Sequence, residues 1–390
     1  MPDSSYPIPL LFLSDSPSCS SGLGRICRDL ATRLHEHCSD IFEVATCGYG
    51  GPGSRRFGFR EYHLHAVDNW LPMELPGIWE DFTQGREGVL FPIWDLSRFW
   101  WLNSPQCPPH LRHWLGTAKM KKWLYHPVDA EGPYGKLSGR LAETMKLFDR
   151  VLDYSAFSCR VTGNTEHLPH GIDTSVFHPY DRIESKRQFR ELGFQNLNDD
   201  DFLVGIVATN QPRKDWALGI QTCRILLDRG VNVKVWCHVD VLDRHWSLPN
   251  LIADYGLGGR VTITDANFKD EQLAKFYSAC DLTLSIGLGE GFGYPTYEAL
   301  ACGTPVVAGD YCGSEWLNPN LLVSPKAYRY EGPYSCKRPI YDPEDWAALA
   351  EAFNPWDTAP FLAVDFPLPA ELDWKNLWPK WQQWFMEGLQ

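Results

Sequence analysis

Residues 287–310 read GLGEGFGYPTYEALACGTPVVAGD. The segment grows out of one apolar run, DLTLSIG at 281–287, and ends in another, PVVAGD at 305–310. Each is short and rich in branched residues, as a strand buried on both faces would be. Between them Pro295 suits the first turn of a helix and Gly303 the position just past its end. Strand, glycine-rich loop, helix and strand in that order make a parallel β-α-β unit. The loop therefore lies at the carboxyl end of a strand, where open α/β sheets bind ligands.

Glycines in such a loop let a ligand approach the backbone closely. The amides of Gly291, Phe292, Gly293 and Tyr294 open a helix N-terminus, which attracts oxygen-rich or anionic groups. Glu290 and Glu298 flank that stretch and can accept hydrogen bonds from hydroxyls, one at each end of a ligand. A diphosphate between two polyhydroxylated rings, as in a nucleotide sugar, would use all of these parts. The residues alone also fit a glycine loop with a glutamate answering the helix dipole.

Outward from this unit, strand and helix patterns alternate along the whole chain. LLFLS (10–14), FEVATC (42–47), GVLFPIW (88–94), KKWLYH (121–126) and RVLDYS (150–155) read as strands. SGLGRICRDLATRLHEH (21–37) reads as a helix with Ile26, Leu30 and Leu34 on one face. HLPHGIDTSVFHPY (167–180) breaks the rhythm with two prolines and a helix cap expected at Asp173. The pattern then restarts with DFLVGIVAT, WALGIQTCRILLDRG, VNVKVWCHV, RVTIT and DEQLAKFYSAC. Two doubly wound α/β domains in tandem are predicted, 1–172 and 173–372. A closing helix over 373–390, capped by Asp373 and kinked by Pro379, is expected to return to the first domain.

At 390 residues the chain is long enough for two cores, and its 44% hydrophobic and 22% charged residues are those of a globular protein. A net charge of −13 argues against nucleic acid or an anionic membrane as the main partner. No apolar run approaches the roughly 18 residues that would span a bilayer. The opening residues show no secretory leader pattern, so a cytoplasmic location is expected, with membrane contact at most peripheral. The 12 cysteines form no C-x-x-C pair and the 12 histidines no H-E-x-x-H, so buried thiols and no bound metal are expected. Many of the 17 tryptophans fall between Trp70 and Trp123, where they either fill a core or offer faces to a glycan or apolar aglycone.

Glu290 and Glu298, separated by seven residues inside EGFGYPTYEALACGTPVV, resemble the EX7E signature of retaining family 4 glycosyltransferases (glycosyl transferases group 1). The resemblance extends to HLPHGIDTSVFHP as the interdomain connector, RKDWALGIQTCRIL, FKDEQLAKFYSACDLTLS and the terminal LDWKNLWPKWQQW. It implies the GT-B architecture: two Rossmann-like domains facing across a cleft, with the last helix crossing back. The first domain would serve the acceptor and the second the donor.

By position, the resemblance implies that Glu298 holds the donor ribose, while Glu290 and the amides of Phe292, Gly293 and Tyr294 hold the donor sugar. Lys214 and Arg213 would neutralise the diphosphate, and the loop at 265–268, with Asn267, would read the base. Gly22 and Gly24 match the family's glycine loop near the donor phosphate or acceptor, and His126 matches a histidine facing the donor sugar. Asp129 and Glu131 follow on the same loop as candidates to take the acceptor proton. One departure stands out: many members carry an arginine where this chain has Ala208, Thr209 and Asn210.

The implied activity is metal-independent, retaining transfer from a UDP- or GDP-sugar to a hydroxyl of a glycan, lipid or small molecule. Asp199, Asp200 and Asp201 read as a polar turn rather than a metal motif, and no cofactor is expected. The alternatives are a sugar-nucleotide epimerase or hydrolase on the same fold, a noncatalytic sugar-nucleotide binder, and a glycosyltransferase acting on DNA or RNA bases.

Overall fold

The structure is a computed structural model, described here for residues 6–50, 57–65, 70–191, 197–354 and 366–390. Residues 1–5, on which part of the leader reading rests, lie outside the described residues. The chain divides into two units: Met1–His170 with Gly332–Ser335 and Trp378–Gln390, and Gly171–Glu331 with Cys336–Leu377.

The first unit is built on six parallel strands: β1 (Ile8–Asp15), β2 (Phe42–Tyr49), β3 (Arg60–His63), β4 (Gly88–Pro92), β5 (Met120–His126) and β6 (Arg150–Asp153). Their order is β3-β2-β1-β4-β5-β6. Alternate residues of β1 serve opposite faces, as the strand period requires. Leu11 and Leu13 join a core with Trp79, Trp94, Trp101 and Trp114. Most of the tryptophan-rich segment is thus interior rather than a ligand face.

The other face is covered by the last helix, Trp374–Glu387, which runs through Pro379 as one element. Trp384 and Phe385 meet Phe91 at ring separations of 5.8 and 5.2 Å, and Trp381 meets Tyr125 at 4.8 Å. The indole of Trp381 donates to the carbonyl of Pro169 at 2.9 Å, so even this buried ring has its polar atom satisfied. Asp373 caps the helix by accepting from the Lys375 amide at 2.9 Å.

The second unit repeats the design with β7 (Phe202–Val207), β8 (Val233–His238), β9 (Val261–Thr264), β10 (Leu282–Ser285), β11 (Val306–Gly309) and β12 (Leu322–Val323). The order is β12-β11-β10-β7-β8-β9. An antiparallel hairpin of β13 (Ala327–Glu331) and β14 (Cys336–Ile340) is added to it. Asp173 does not cap a helix as expected. It closes one turn, accepting from the Ser175 amide at 3.1 Å, and Pro179 stops that turn from extending.

Beneath the second sheet lies a buried ion pair. Lys186, 0% exposed, donates to Asp281 Oδ2 at 3.0 Å and to the carbonyl of Asp201 at 3.0 Å. Asp281 also accepts from the Leu203 amide at 2.8 Å and from Arg182 at 2.6 Å. Both carboxylate oxygens and the ammonium thus have hydrogen-bond partners in place of water, the condition under which a buried charge is tolerated.

Candidate functional site

In each sheet the order reverses direction beside the first strand, and the loops leaving the carboxyl ends there splay apart to form a crevice. In the second unit this switch point lies between β7 and β10. The loops following those two strands are joined: Lys214 forms an antiparallel bridge with Gly287, the Leu288 amide donates to the Arg213 carbonyl at 2.8 Å, and the Asp215 amide donates to the Ile286 carbonyl at 2.9 Å. Sequence positions more than seventy residues apart are thereby brought side by side.

The join sets Lys214 and Arg213 on one carboxylate. Arg213 Nη1 donates to Glu290 Oε2 at 2.9 Å and to the Gly289 carbonyl at 3.0 Å, while Lys214 Nζ donates to Glu290 Oε1. A Cβ on Gly287 would overlap the Glu290 carboxylate, and one on Gly313 would lie 2.6 Å from the Glu290 carbonyl oxygen. These two glycines therefore make room for Glu290. Burial alone would raise its carboxyl pKa, but the charges and hydrogen bonds of Arg213 and Lys214 outweigh that and hold it at about 2.

Because the folded value lies below the ordinary 4.5, the folded state binds fewer protons at Glu290 than the unfolded chain does. The resulting stability, on the order of 3 kcal/mol, is complete above pH 4.5 and lost as pH falls toward 2. Glu290→Gln is expected to flatten this acid limb when urea midpoints are measured against pH. Parallel limbs for the two proteins would refute the coupling.

The helix Tyr294–Ala301 begins beside this cluster, with Gly293 as its N-cap at φ 91° and Pro295 in its first turn. Only glycine adopts that backbone region without strain. Phe292 turns its ring inward against Tyr297 and Trp316, at 4.7 and 5.7 Å, so only its backbone is suited to a ligand. Glu298 is 2% exposed and accepts from the Tyr277 hydroxyl at 2.8 Å. Asn267 is exposed, on a loop where Phe268 stacks on His238 at 4.4 Å. Among the described residues no hydrogen bond or ion pair joins Asn267 to the Glu290 cluster.

Asn210, in the stretch where the resemblance leads one to expect an arginine, is a buried brace. Its side chain donates to the carbonyls of Val241 and Trp246 at 3.0 and 2.7 Å and accepts from the Trp246 amide at 2.8 Å. Sequence reading missed this role because its partners lie over thirty residues away.

The remaining predicted residues belong to the first unit. Gly22 opens the helix Gly22–His37, whose N-cap Ser21 accepts from the Gly24 amide at 3.1 Å. A Cβ on Gly24 would come within 2.5 Å of the Ser16 carbonyl oxygen, so close packing of helix on loop already demands glycine there. His126 is 1% exposed, with Nδ1 3.3 Å from the Pro127 carbonyl and Nε2 3.1 Å from Asp153 Oδ1, the latter out of line for a hydrogen bond. Glu131 is held by Arg160 at 2.8 Å. Among the described residues no group of three or more metal-ligating side chains is found, nor a helix long and apolar enough to cross a membrane.

With this geometry in hand, comparison with known proteins is informative. Residues 188–320 match the family described as Glycosyl transferases group 1. The chain is 33% identical over 138 residues to a D-inositol 3-phosphate glycosyltransferase of Mycobacteroides abscessus, covering 35% of this chain and 30% of that protein. It is 25% identical over 211 residues to a protein of Mycolicibacterium hassiacum named MMP alpha-(1->4)-mannosyltransferase, covering 54% and 42%. A D-inositol 3-phosphate glycosyltransferase of Streptosporangium roseum is 24% identical over 290 residues, covering 70% of this chain and 62% of that one. The chain thus spans about a third to two thirds of the length of these curated relatives.

Among solved structures, sucrose-phosphate synthase from Thermosynechococcus elongatus superposes with a TM-score of 0.71 at 19% identity, covering 98% of this chain and 99% of that one. Anabaena Alr3699/HepE in complex with UDP-glucose gives 0.69 at 15% identity, covering 97% and 100%. This likeness shows the fold: two parallel-sheet Rossmann-like domains of the GT-B architecture.

Proposed function

We propose that this protein is a retaining, family 4 type glycosyltransferase that moves a sugar from a nucleotide-sugar donor to an acceptor hydroxyl. The observation that carries the reading is the meeting of Lys214 and Arg213 on Glu290 at the β7/β10 switch point, beside a helix N-terminus. Two cations against one carboxylate leave a surplus positive charge, and first-turn amides have no acceptor within their helix. A diphosphate is the complementary group. The group 1 match over residues 188–320 encloses all of these residues and supports the same reading.

In the proposed reaction the bond between the anomeric carbon and the diphosphate oxygen breaks, and its electron pair stays on the diphosphate. Lys214 and Arg213 stabilise that growing charge. The acceptor oxygen bonds to the same face of the oxocarbenium-like sugar, and its proton passes to the departing phosphate oxygen. Glu298 holds the ribose hydroxyls, and Glu290 with the amides at 292–294 holds the sugar. Asn267 belongs to the loop that reads the base. His126, Gly22 and Gly24 keep the roles that the family resemblance gives them. The leaving group is met by side-chain cations, so the reading requires no divalent metal.

Incubation with UDP-, GDP- and ADP-sugars and a panel of acceptors, with product anomers assigned by NMR, tests the reaction; chelator should leave the rate unchanged. Glu298→Gln is expected to weaken nucleotide binding about tenfold or more, since two charge-assisted hydrogen bonds become neutral ones. Thermal shift with UDP, GDP and ADP reads that loss. Equal shifts for the variant and the parent protein would remove Glu298 from the donor site.

A further inference from the structure

The switch point of the first sheet lies between β1 and β4 and is built from different chemistry. Asp15 ends β1, Tyr49 ends β2, and Trp94 follows β4 by two residues. Arg98 Nη1 donates to Asp15 Oδ1 at 3.0 Å, and the Ser21 hydroxyl donates to Asp15 Oδ2 at 2.7 Å. The Arg98 guanidinium lies 4.0 Å from the ring centre of Trp70, an indole that is 43% exposed. Tyr49 stands between two tryptophans, edge-on to Trp70 at 5.3 Å and stacked on Trp94 at 5.5 Å.

Two polar atoms in this cluster are buried with no hydrogen-bond partner: the Tyr49 hydroxyl and the Trp94 indole nitrogen, in residues 5% and 0% exposed. A third, Glu74 Oε2, is likewise without a partner. Burial pushes the Tyr49 phenol up to about 12, with the Glu74 charge raising it further and Arg98 opposing. Unpaired buried donors and acceptors are costly to keep, and a cluster of them at a ligand-binding edge calls for a polar occupant. Trp70 also holds φ at 59°, strain of the kind that ligand clamps store.

We infer that this crevice holds the acceptor and that the acceptor is an uncharged polyhydroxylated ring, stacked on Trp70 and hydrogen-bonded by Asp15, Arg98 and Tyr49. The inference rests on the transferase reading above. Sugar rings present C–H faces to aromatic surfaces, and a carboxylate beside a guanidinium suits neighbouring hydroxyls, one accepting and the other donating. A phosphate fits poorly. Asp15 already neutralises Arg98, so the pair offers an anion no net positive charge to bind.

Saturation-transfer NMR on the full chain with UDP present tests this, using methyl α-glucoside, methyl α-mannoside, methyl β-galactoside, myo-inositol and glucose 6-phosphate as probes. Irradiating the aromatic protons should label the ring protons of at least one neutral probe, and glucose 6-phosphate should compete at least about tenfold more weakly. Trp70→Ala should weaken the neutral probe by about tenfold and Trp70→Phe should restore most of that loss, with UDP labelling unchanged in both. The inference is overturned if no neutral probe is labelled, if glucose 6-phosphate binds as well, or if neither Trp70→Ala nor Arg98→Lys changes probe binding. Loss of UDP labelling in the parent protein with sugar labelling intact would sink the donor reading alone.

Discussion

Alanine in place of Lys214 is expected to slow sugar transfer about a hundredfold to a thousandfold, the usual cost of deleting one group that meets developing charge. Lys214 is buried, so its ammonium acts in a medium that screens poorly. Its interaction strengthens as the leaving diphosphate gains charge, so turnover should fall further than donor affinity. Lys214→Arg keeps the charge but exchanges a compact ammonium for a planar fork, and should fall between the two. Rates at saturating donor, with unfolding midpoints on the same samples, separate chemistry from the loss of a Glu290 partner. Full turnover in Lys214→Ala would leave the diphosphate assignment without support.

The largest effect on stability is expected from Asp281→Ala, about 3–5 kcal/mol, because it strands the buried ammonium of Lys186. It also strips the Leu203 amide of its acceptor. A loss of this size is a large share of the stability of a typical domain. Replacing both partners, as in Lys186→Met with Asp281→Leu, should recover at least half of it, since an apolar pair leaves no uncompensated charge. Urea unfolding of the parent protein and the two variants decides the matter. If the double variant is as weak as Asp281→Ala, lost packing and not the stranded charge is responsible.

Much of the fold was legible because its signals are local. The periods of the strands, Pro295 in the first turn and Gly303 at φ 77° just past the helix Tyr294–Ala301 are written within a few residues of one another. Ile26, Leu30 and Leu34 are buried, as their spacing predicts. The hairpin of β13 and β14 passed unseen because most of β13 is exposed, so no alternation of apolar and polar residues marks it. The tryptophans were ambiguous for the opposite reason, since an indole serves a core and a sugar equally well and only burial distinguishes them.

Within the candidate site, the glutamates and the lysine could be picked out from their motifs. Their convergence could not, because it depends on which loops the strand order places side by side. Asn210 and the Lys186–Asp281 pair were invisible for the same reason: each joins positions far apart in sequence through contacts that leave no periodic trace.

The aromatic helix at the end of the sequence bears on how the molecule is made. Phe12, Phe42, Phe91 and Trp123 form the floor on which Trp384 and Phe385 rest, directly or through one another. The ribosome must add roughly 200 further residues after the first unit's sixth strand before it delivers this cover, a delay on the order of 10 to 40 s at common elongation rates. Throughout that interval the nascent chain carries a bare oily face while the second unit is synthesised and folds. Vectorial synthesis therefore inverts the order of completion: the unit that emerges first is the last to close, and a chaperone has a defined surface to shield.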